Sequence, residues 1–143
     1  KLIELAGEIN QYMPEYVVER ISDILSKKCN KPLNNAKILI LGVAYKKDVN
    51  DIRKAPALEI IRQLENKSAN VIYYDPYVAD FTFMNKKYYS LDSLTPEIIE
   101  RQDITVIITD HSNLDYKMVQ KRAKLIFDTR NIIKQKSRNV EKL

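Results

Sequence analysis

The sequence predicts an α/β fold: a doubly wound parallel sheet preceded by an amphipathic helical segment. Three observations carry this expectation. Residues 37–41 read Lys-Ile-Leu-Ile-Leu, and an unbroken apolar run is the pattern of a strand buried on both faces, as in parallel sheets. Gly42 breaks that run, a polar loop with Lys46, Lys47 and Arg53 follows, and an amphipathic helical pattern opens at Pro56. Strand-like and helix-like stretches then alternate to the end of the chain, as in βαβ units.

Taken in order, Leu2, Leu5, Ala6, Ile9 and Met13 recur at helical spacing, Pro14 interrupts, and Val17, Val18, Ile21, Ile24 and Leu25 resume the period. Proline is tolerated at the start of a helix, so residues 1–29 read as two helical pieces or one kinked helix. Their apolar stripe needs a partner surface, supplied by this domain, by another domain or by a second subunit. The chain starts at Lys1 in mid-pattern and reads as a piece of something longer. Residues 36–143 form the predicted α/β domain.

After the first strand and its loop, a helix is expected from Pro56 to about Lys67, with Ala57, Leu58, Ile60, Ile61 and Leu64 on one face. Residues 70–74 form the second strand, ended by Asp75-Pro76 because proline cannot continue a central ladder. Asp75 stands about where an acidic residue meets a ribose in dinucleotide folds; its simpler reading is a strand-ending turn residue. Residues 80–90 show apolar side chains without a period. Thr95-Pro96-Glu97 reads as an N-cap with proline at the first helical position. Residues 104–109 are a β-branched strand, residues 114–121 a short helix, and residues 125–128 a last strand. Lys134 to Leu143 reads as a solvated tail.

In open α/β sheets ligands collect at the carboxyl ends of the strands. Three polar clusters are predicted there: Tyr45-Lys46, Asp110-His111, and Asp128 to Arg130. A strand, a glycine turn, a cationic loop and a helix together suit an anionic ligand. The dinucleotide fingerprint itself is missing, because it needs three glycines and this loop has Gly42 alone. Any phosphate held here must lean on lysine and arginine side chains.

Other chemistries are weaker. Asp110-His111-Ser112 has the letters of a hydrolase triad, but adjacent residues cannot stack into one relay; His111 reads as a loop residue. Asp48 and Asp51 lie beside Lys46, Lys47, Arg53 and Lys54 and read as ion-pair or turn-capping residues. No metal site is expected, since a lone His lacks partners at ligand spacing. Cys29 is the only cysteine, which excludes an internal disulfide, points to a reducing, cytoplasmic compartment, and lies too early in the chain to be a nucleophile at the strand ends. The net charge is +5, concentrated towards the end, but no aromatic stacking platform accompanies it, so a nucleic-acid partner is not expected. No apolar run is long enough to span a bilayer.

The residues carry a resemblance. Residues 42–53, Gly-Val-Ala-Tyr-Lys-Lys-Asp-Val-Asn-Asp-Ile-Arg, followed by Pro56-Ala57-Leu58, resemble the signature of the UDP-glucose/GDP-mannose dehydrogenase family. Tyr74-Asp75-Pro76-Tyr77, Thr109-Asp110-His111 and Phe127-Asp128-Thr129-Arg130-Asn131 are similar to its later blocks, in the same order, and the Asp-His and Asp-Thr-Arg-Asn variants look most like the branch that oxidises UDP-N-acetylglucosamine or UDP-N-acetylmannosamine. The opening Glu4 to Asn10 with Met13-Pro14 resembles the family's inter-domain, dimerising helix. The resemblance implies a Rossmann-like, nucleotide-sugar-binding C-terminal domain of an NAD-dependent enzyme that oxidises the sugar C6 alcohol to a carboxylate. The catalytic cysteine and the main NAD domain would lie outside this chain, Cys29 does not match that cysteine, and the chain alone would be inactive. By the same resemblance Tyr45 and Lys46 match a pair contacting the nucleotide sugar, and Arg130 matches an arginine expected to do so from a neighbouring subunit. Arg53 matches an arginine reaching the NAD cofactor. Lys54-Ala55 departs from the frequent Glu-Ser, which reverses a charge beside Arg53. A homodimer through the N-terminal helices would place Leu5 and Ile9 between subunits. The alternatives are a UDP-glucose or GDP-mannose enzyme, or a Rossmann-like nucleotide-binding module with no dehydrogenase partner.

Overall fold

The computed structural model describes the backbone of residues 2–143 and the side chains of residues 13–143. Helix α1 spans Leu2–Cys29, with Pro14 inside it. Strand β1 (Lys37–Leu41), helix α2 (Pro56–Asn66) and strand β2 (Asn70–Tyr74) follow. A hairpin of β3 (Asp80–Phe83) and β4 (Lys86–Tyr89) comes next, then α3 (Pro96–Glu100), β5 (Ile104–Ile107), α4 (Tyr116–Arg122), β6 (Ile126–Asp128) and β7 (Val140–Lys142). The two helical pieces are therefore one assigned helix. The expected inter-subunit contacts of Leu5 and Ile9 lie outside the described side chains.

Five strands form one sheet in the order β2-β1-β5-β6-β7, and every neighbouring pair in it is parallel. The chain winds from β1 outwards to β2, then returns to the other side of β1 to lay down β5. The strand order thus reverses between β1 and β5, the topological switch point beside which open α/β sheets bind ligands.

Alternation along β1 divides the interior. Ile38 and Ile40 join Val17, Val18, Ile21 and Leu25 of α1 and Ile60, Ile61 and Leu64 of α2 in one core. Leu39 and Leu41 face the other way, into a second core with Ile99 of α3, Val119 of α4 and Ile133. A strand covered on both faces has to be apolar throughout, which is why its pattern is unbroken. The stripe of residues 17–25 finds its partner in this domain, since α1 packs against α2.

Two segments depart from expectation. Residues 80–90 form an antiparallel hairpin turned by Met84 and Asn85, both left-handed (φ 52° and 64°). The predicted tail is no tail at its end: residues 140–142 pair with β6, the Arg20 guanidinium donates to the Lys142 carbonyl at 2.9 Å, and Lys28 pairs with Glu141 at 3.2 Å. Among the described residues no helix is long and apolar enough to cross a membrane, and no group of three or more His, Cys, Asp or Glu could hold a metal ion.

Candidate functional site

The carboxyl ends of the parallel strands meet through their loops, and Gly42 is where the construction starts. Its N–H donates to the Tyr74 carbonyl at 3.0 Å, continuing the β1–β2 ladder by one bond, while its φ of +84° turns the chain out of the sheet. Immediately afterwards the amides of Val43 and Ala44 both donate to Asp75 Oδ2, at 2.8 and 3.2 Å. The Thr109 hydroxyl, following β5, donates to the Ala44 carbonyl at 2.7 Å. The Tyr45 amide then donates to the Asp51 carbonyl at 2.6 Å, closing residues 45–51 into a loop.

Asp75 is the hub of this edge. Besides the two amides, it accepts from the Tyr77 amide at 2.8 Å and from His111 Nε2 at 2.9 Å. Burial alone would push its carboxyl upwards, but the His111 ring and the backbone donors outweigh that and hold it below the ordinary carboxylate value. Asp75 is the strand-ending turn residue of the simpler reading and not a ribose partner: its carboxylate is buried (2 % exposed) and turned inward. At the end of its strand it stands as a brace.

His111 is a loop residue by position, and it is fully buried. Its Nδ1 accepts the Asp48 amide at 2.8 Å. A backbone N–H can only donate, so Nδ1 carries no proton, and the ring is the neutral tautomer with its proton on Nε2, facing Asp75. The Tyr77 ring lies tilted against it with centroids 4.7 Å apart, and the Tyr116 hydroxyl donates to its carbonyl at 2.7 Å. Asp48 accepts from the Ser112 amide at 2.8 Å and hydroxyl at 2.6 Å, bonds to the loop after β5 in place of an ion pair with its basic neighbours. These Ser112 bonds hold its carboxyl low.

The loop after β6 is fixed from below. Asp128, 1 % exposed, accepts from the Arg130 amide at 3.0 Å, the Ile133 amide at 2.9 Å and Lys142 Nζ at 2.9 Å. Lys142 also donates to the Asn131 side chain at 3.0 Å and to the Ile133 carbonyl. The strand missed in the sequence thus fastens the turn that presents Arg130. Burial raises the Asp128 carboxyl, and the Lys142 ammonium with the turn amides brings it below its ordinary value. A Lys142→Met variant should lose about 1–2 kcal/mol of stability, and the acid limb of its stability profile should move to higher pH. Urea titrations between pH 3 and 7 read both; an unshifted acid limb would exclude this role of Lys142.

The predicted site residues fall as follows. Tyr45 is 55 % exposed, and Lys46 is exposed beside it. Arg130 Nε lies 3.4 Å from Asp110 Oδ1, so the loops after β5 and β6 meet directly, and His111 joins the β5 loop to the β1 loop. Arg53 stands apart on the outer part of the β1 loop, where Asp51 receives its guanidinium through two bonds of 3.1 and 3.0 Å; that bonding lowers Asp51 to about 2. The charge reversal at Lys54 therefore leaves Arg53 with a local partner. Cys29 is exposed at the end of α1. It belongs with the amino ends of the strands, where nearby Lys31 pairs with Asp103 at 2.5 Å and the Lys37 amide donates to Asp103 at 2.8 Å.

Sequence reasoning missed three residues that build this edge: His111 and Asp75 as buried braces, and Lys142. The loop after β1 carries the Tyr45 ring and the Lys46 ammonium on its exposed side, and the loop after β6 carries the Arg130 guanidinium. Both nitrogens of the buried histidine are used inside the protein, which leaves it no free one for proton transfer.

Residues 39–135 match the family model described as UDP-glucose/GDP-mannose dehydrogenase family, UDP binding domain. The UDP-N-acetyl-D-mannosamine dehydrogenase of Methanocaldococcus jannaschii is 37% identical over 141 residues, covering 93% of this chain and 30% of that protein. The UDP-glucose 6-dehydrogenase of Rickettsia bellii is 31% identical over 142 residues, with 94% and 32% covered. The solved structure of the UDP-D-ManNAc dehydrogenase from Pyrococcus horikoshii superposes with a TM-score of 0.76 at 34% identity, covering 99% of this chain and 32% of that one. The chain spans about a third of the length of the relatives it matches.

Proposed function

Because the chain belongs to the UDP-glucose/GDP-mannose dehydrogenase family, we propose that it is the nucleotide-sugar-binding domain of an NAD-dependent UDP-N-acetylhexosamine 6-dehydrogenase. The observation that carries this reading is the switch-point edge, where Tyr45 and Lys46 on the β1 loop share a braced frame with Arg130 on the β6 loop. In this reading the Lys46 ammonium is a point charge for a diphosphate and the Tyr45 ring a flat apolar contact. The Arg130 guanidinium is a fork that exchanges its 3.4 Å Asp110 partner for nucleotide-sugar oxygens, in this pocket or in that of a neighbouring subunit. Residues 1–29 serve as the inter-domain and dimerising segment, residues 36–143 hold the UDP-sugar, and the parent acts in the cytoplasm as a homodimer or higher homo-oligomer.

The first βα turn does not fit a dinucleotide. The amides of Val43 and Ala44, which would face a pyrophosphate in such a fold, are engaged by Asp75. NAD in the parent therefore belongs to another domain and meets this one at Arg53. Hydride transfer and covalent chemistry belong there too, and the residues of this chain bind and orient.

The 31% identity to a UDP-glucose enzyme gives UDP-glucose as the second reading for the substrate. The test is NAD⁺ reduction by the full-length parent with UDP-N-acetylmannosamine, UDP-N-acetylglucosamine, UDP-glucose and GDP-mannose. Two NADH per sugar with one N-acetylated substrate is the expected result. No turnover from a folded parent that still binds UDP would replace this reading with a nucleotide-binding module. For the site, Lys46→Ala should weaken UDP binding by about 1.5–3 kcal/mol, the worth of one charged hydrogen bond. Equal calorimetric affinity in the two proteins would remove Lys46 from the site.

A further inference from the structure

We propose that His111 is a positioning residue: its neutral imidazole ties the backbone of the Tyr45-Lys46 loop to the sheet and thereby sets ligand affinity without touching the ligand. The ligand half of this statement rests on the reading of the site as a nucleotide-sugar pocket; the tie itself does not.

The loop has reason to need such a tie. Asp48, two residues beyond Lys46, is left-handed (φ 63°), and its amide finds its acceptor in His111 Nδ1 at 2.8 Å. The other side of the same ring reaches Asp75 at 2.9 Å, and Asp75 holds the amides of Val43 and Ala44 at the root of the loop. One ring thus joins the base of the loop to its far limb, and Tyr45 and Lys46 lie between the two anchor points. Ser112 grips the Asp48 carboxylate from the exposed side, so it restrains the side chain, whereas His111 restrains the backbone. A side chain that is fully buried, with both nitrogens engaged, is fixed in place. Pre-setting the loop before the ligand arrives lowers the ordering cost of binding.

The two bonds can be separated chemically. In His111→Asn the carboxamide oxygen can take the place of Nδ1 and keep the Asp48 bond, but nothing reaches Asp75. In His111→Gln the longer amide can donate to Asp75, and the Asp48 amide loses its acceptor. UDP binding by the full-length chain should fall about tenfold in His111→Gln, with a similar loss in His111→Ala, and should stay within about threefold of wild type in His111→Asn, as one lost or kept hydrogen bond implies. Amide hydrogen exchange should quicken across residues 45–53 in the Gln and Ala proteins and stay near wild type in the Asn protein. Thermal stability should not follow that order, which separates positioning from a merely structural role. If His111→Ala does not fold, the Asn and Gln pair decides. The proposal is overturned if affinity follows stability across the variants, or if exchange in residues 45–53 is unchanged in His111→Gln. If wild type does not bind UDP, the nucleotide-sugar reading fails, and the exchange experiment still decides the tie.

Discussion

Gly42→Ala is expected to lower stability by about 4 kcal/mol, from backbone strain and overpacking together. The φ of +84° at Gly42 lies where a side chain is strained whatever space surrounds it. Here there is no space either: an added Cβ would stand 2.3 Å from the Thr109 carbonyl oxygen and 2.6 Å from Thr109 Cβ. The first of these is backbone and cannot swing away. Relief would require the loop after β5 to withdraw from the end of β1, breaking the bonds from the Ile108 and Thr109 amides to the Leu41 carbonyl, at 3.0 and 3.3 Å. The same withdrawal would carry His111 away from the β1 loop, so UDP affinity should fall even in protein that remains folded. A urea midpoint shifted by the equivalent of 4 kcal/mol at unchanged slope is the expected result. A loss below about 1 kcal/mol, less than αL strain alone, would mean the loops are not packed this closely.

Gly42 also marks where the sequence was legible and where it was not. β1 could be read because both of its faces are buried, so that residues 38–41 had to be apolar. α2 showed itself by proline at its start and an apolar face, and α3 by its Thr95 cap, whose hydroxyl accepts the Ile98 amide at 3.2 Å. The β3–β4 hairpin stayed hidden because two-residue turns of this kind are ordinarily signalled by Asn-Gly, and here Met84 takes the first left-handed position. β7 was hidden because three residues at a sheet edge, two of them Glu141 and Lys142, carry no apolar period. At the site, the exposed candidates and the brace residues Asp75 and His111 all lie in the ordered blocks that carry the family resemblance, but the bracing contact between those two left no trace. Asp75 and His111 are 36 positions apart, and nothing local distinguishes a buried Asp–His pair from two turn residues. Only the return of β5 to the far side of β1 brings them into contact.

That contact makes Asp75→Ala the second large effect, with an expected loss of about 3–5 kcal/mol, the range for stripping a hydrogen-bonded charge from its buried partners. Removing the carboxylate leaves the amides of Val43, Ala44 and Tyr77 and the His111 Nε2–H without their acceptor. Asp75→Asn should cost less, since one oxygen still accepts while the new NH₂ faces donors. The sign of the pH dependence follows from the folded carboxyl lying below its ordinary value of 3.8. A depressed carboxyl contributes stability that is fully present above its unfolded pKa and is lost as the pH falls through its folded one. Wild type should therefore weaken on acidification below about pH 4, the unfolded aspartate value, and Asp75→Ala should start less stable and show a shallower slope in that range. Chemical denaturation from pH 2.5 to 7 measures both quantities. Parallel acid limbs in the two proteins would show that Asp75 does not carry the linkage. A variant as stable as wild type at pH 7 would show that the loop amides find other partners, and the braced edge would then have to be held by Thr109 and Ser112 instead.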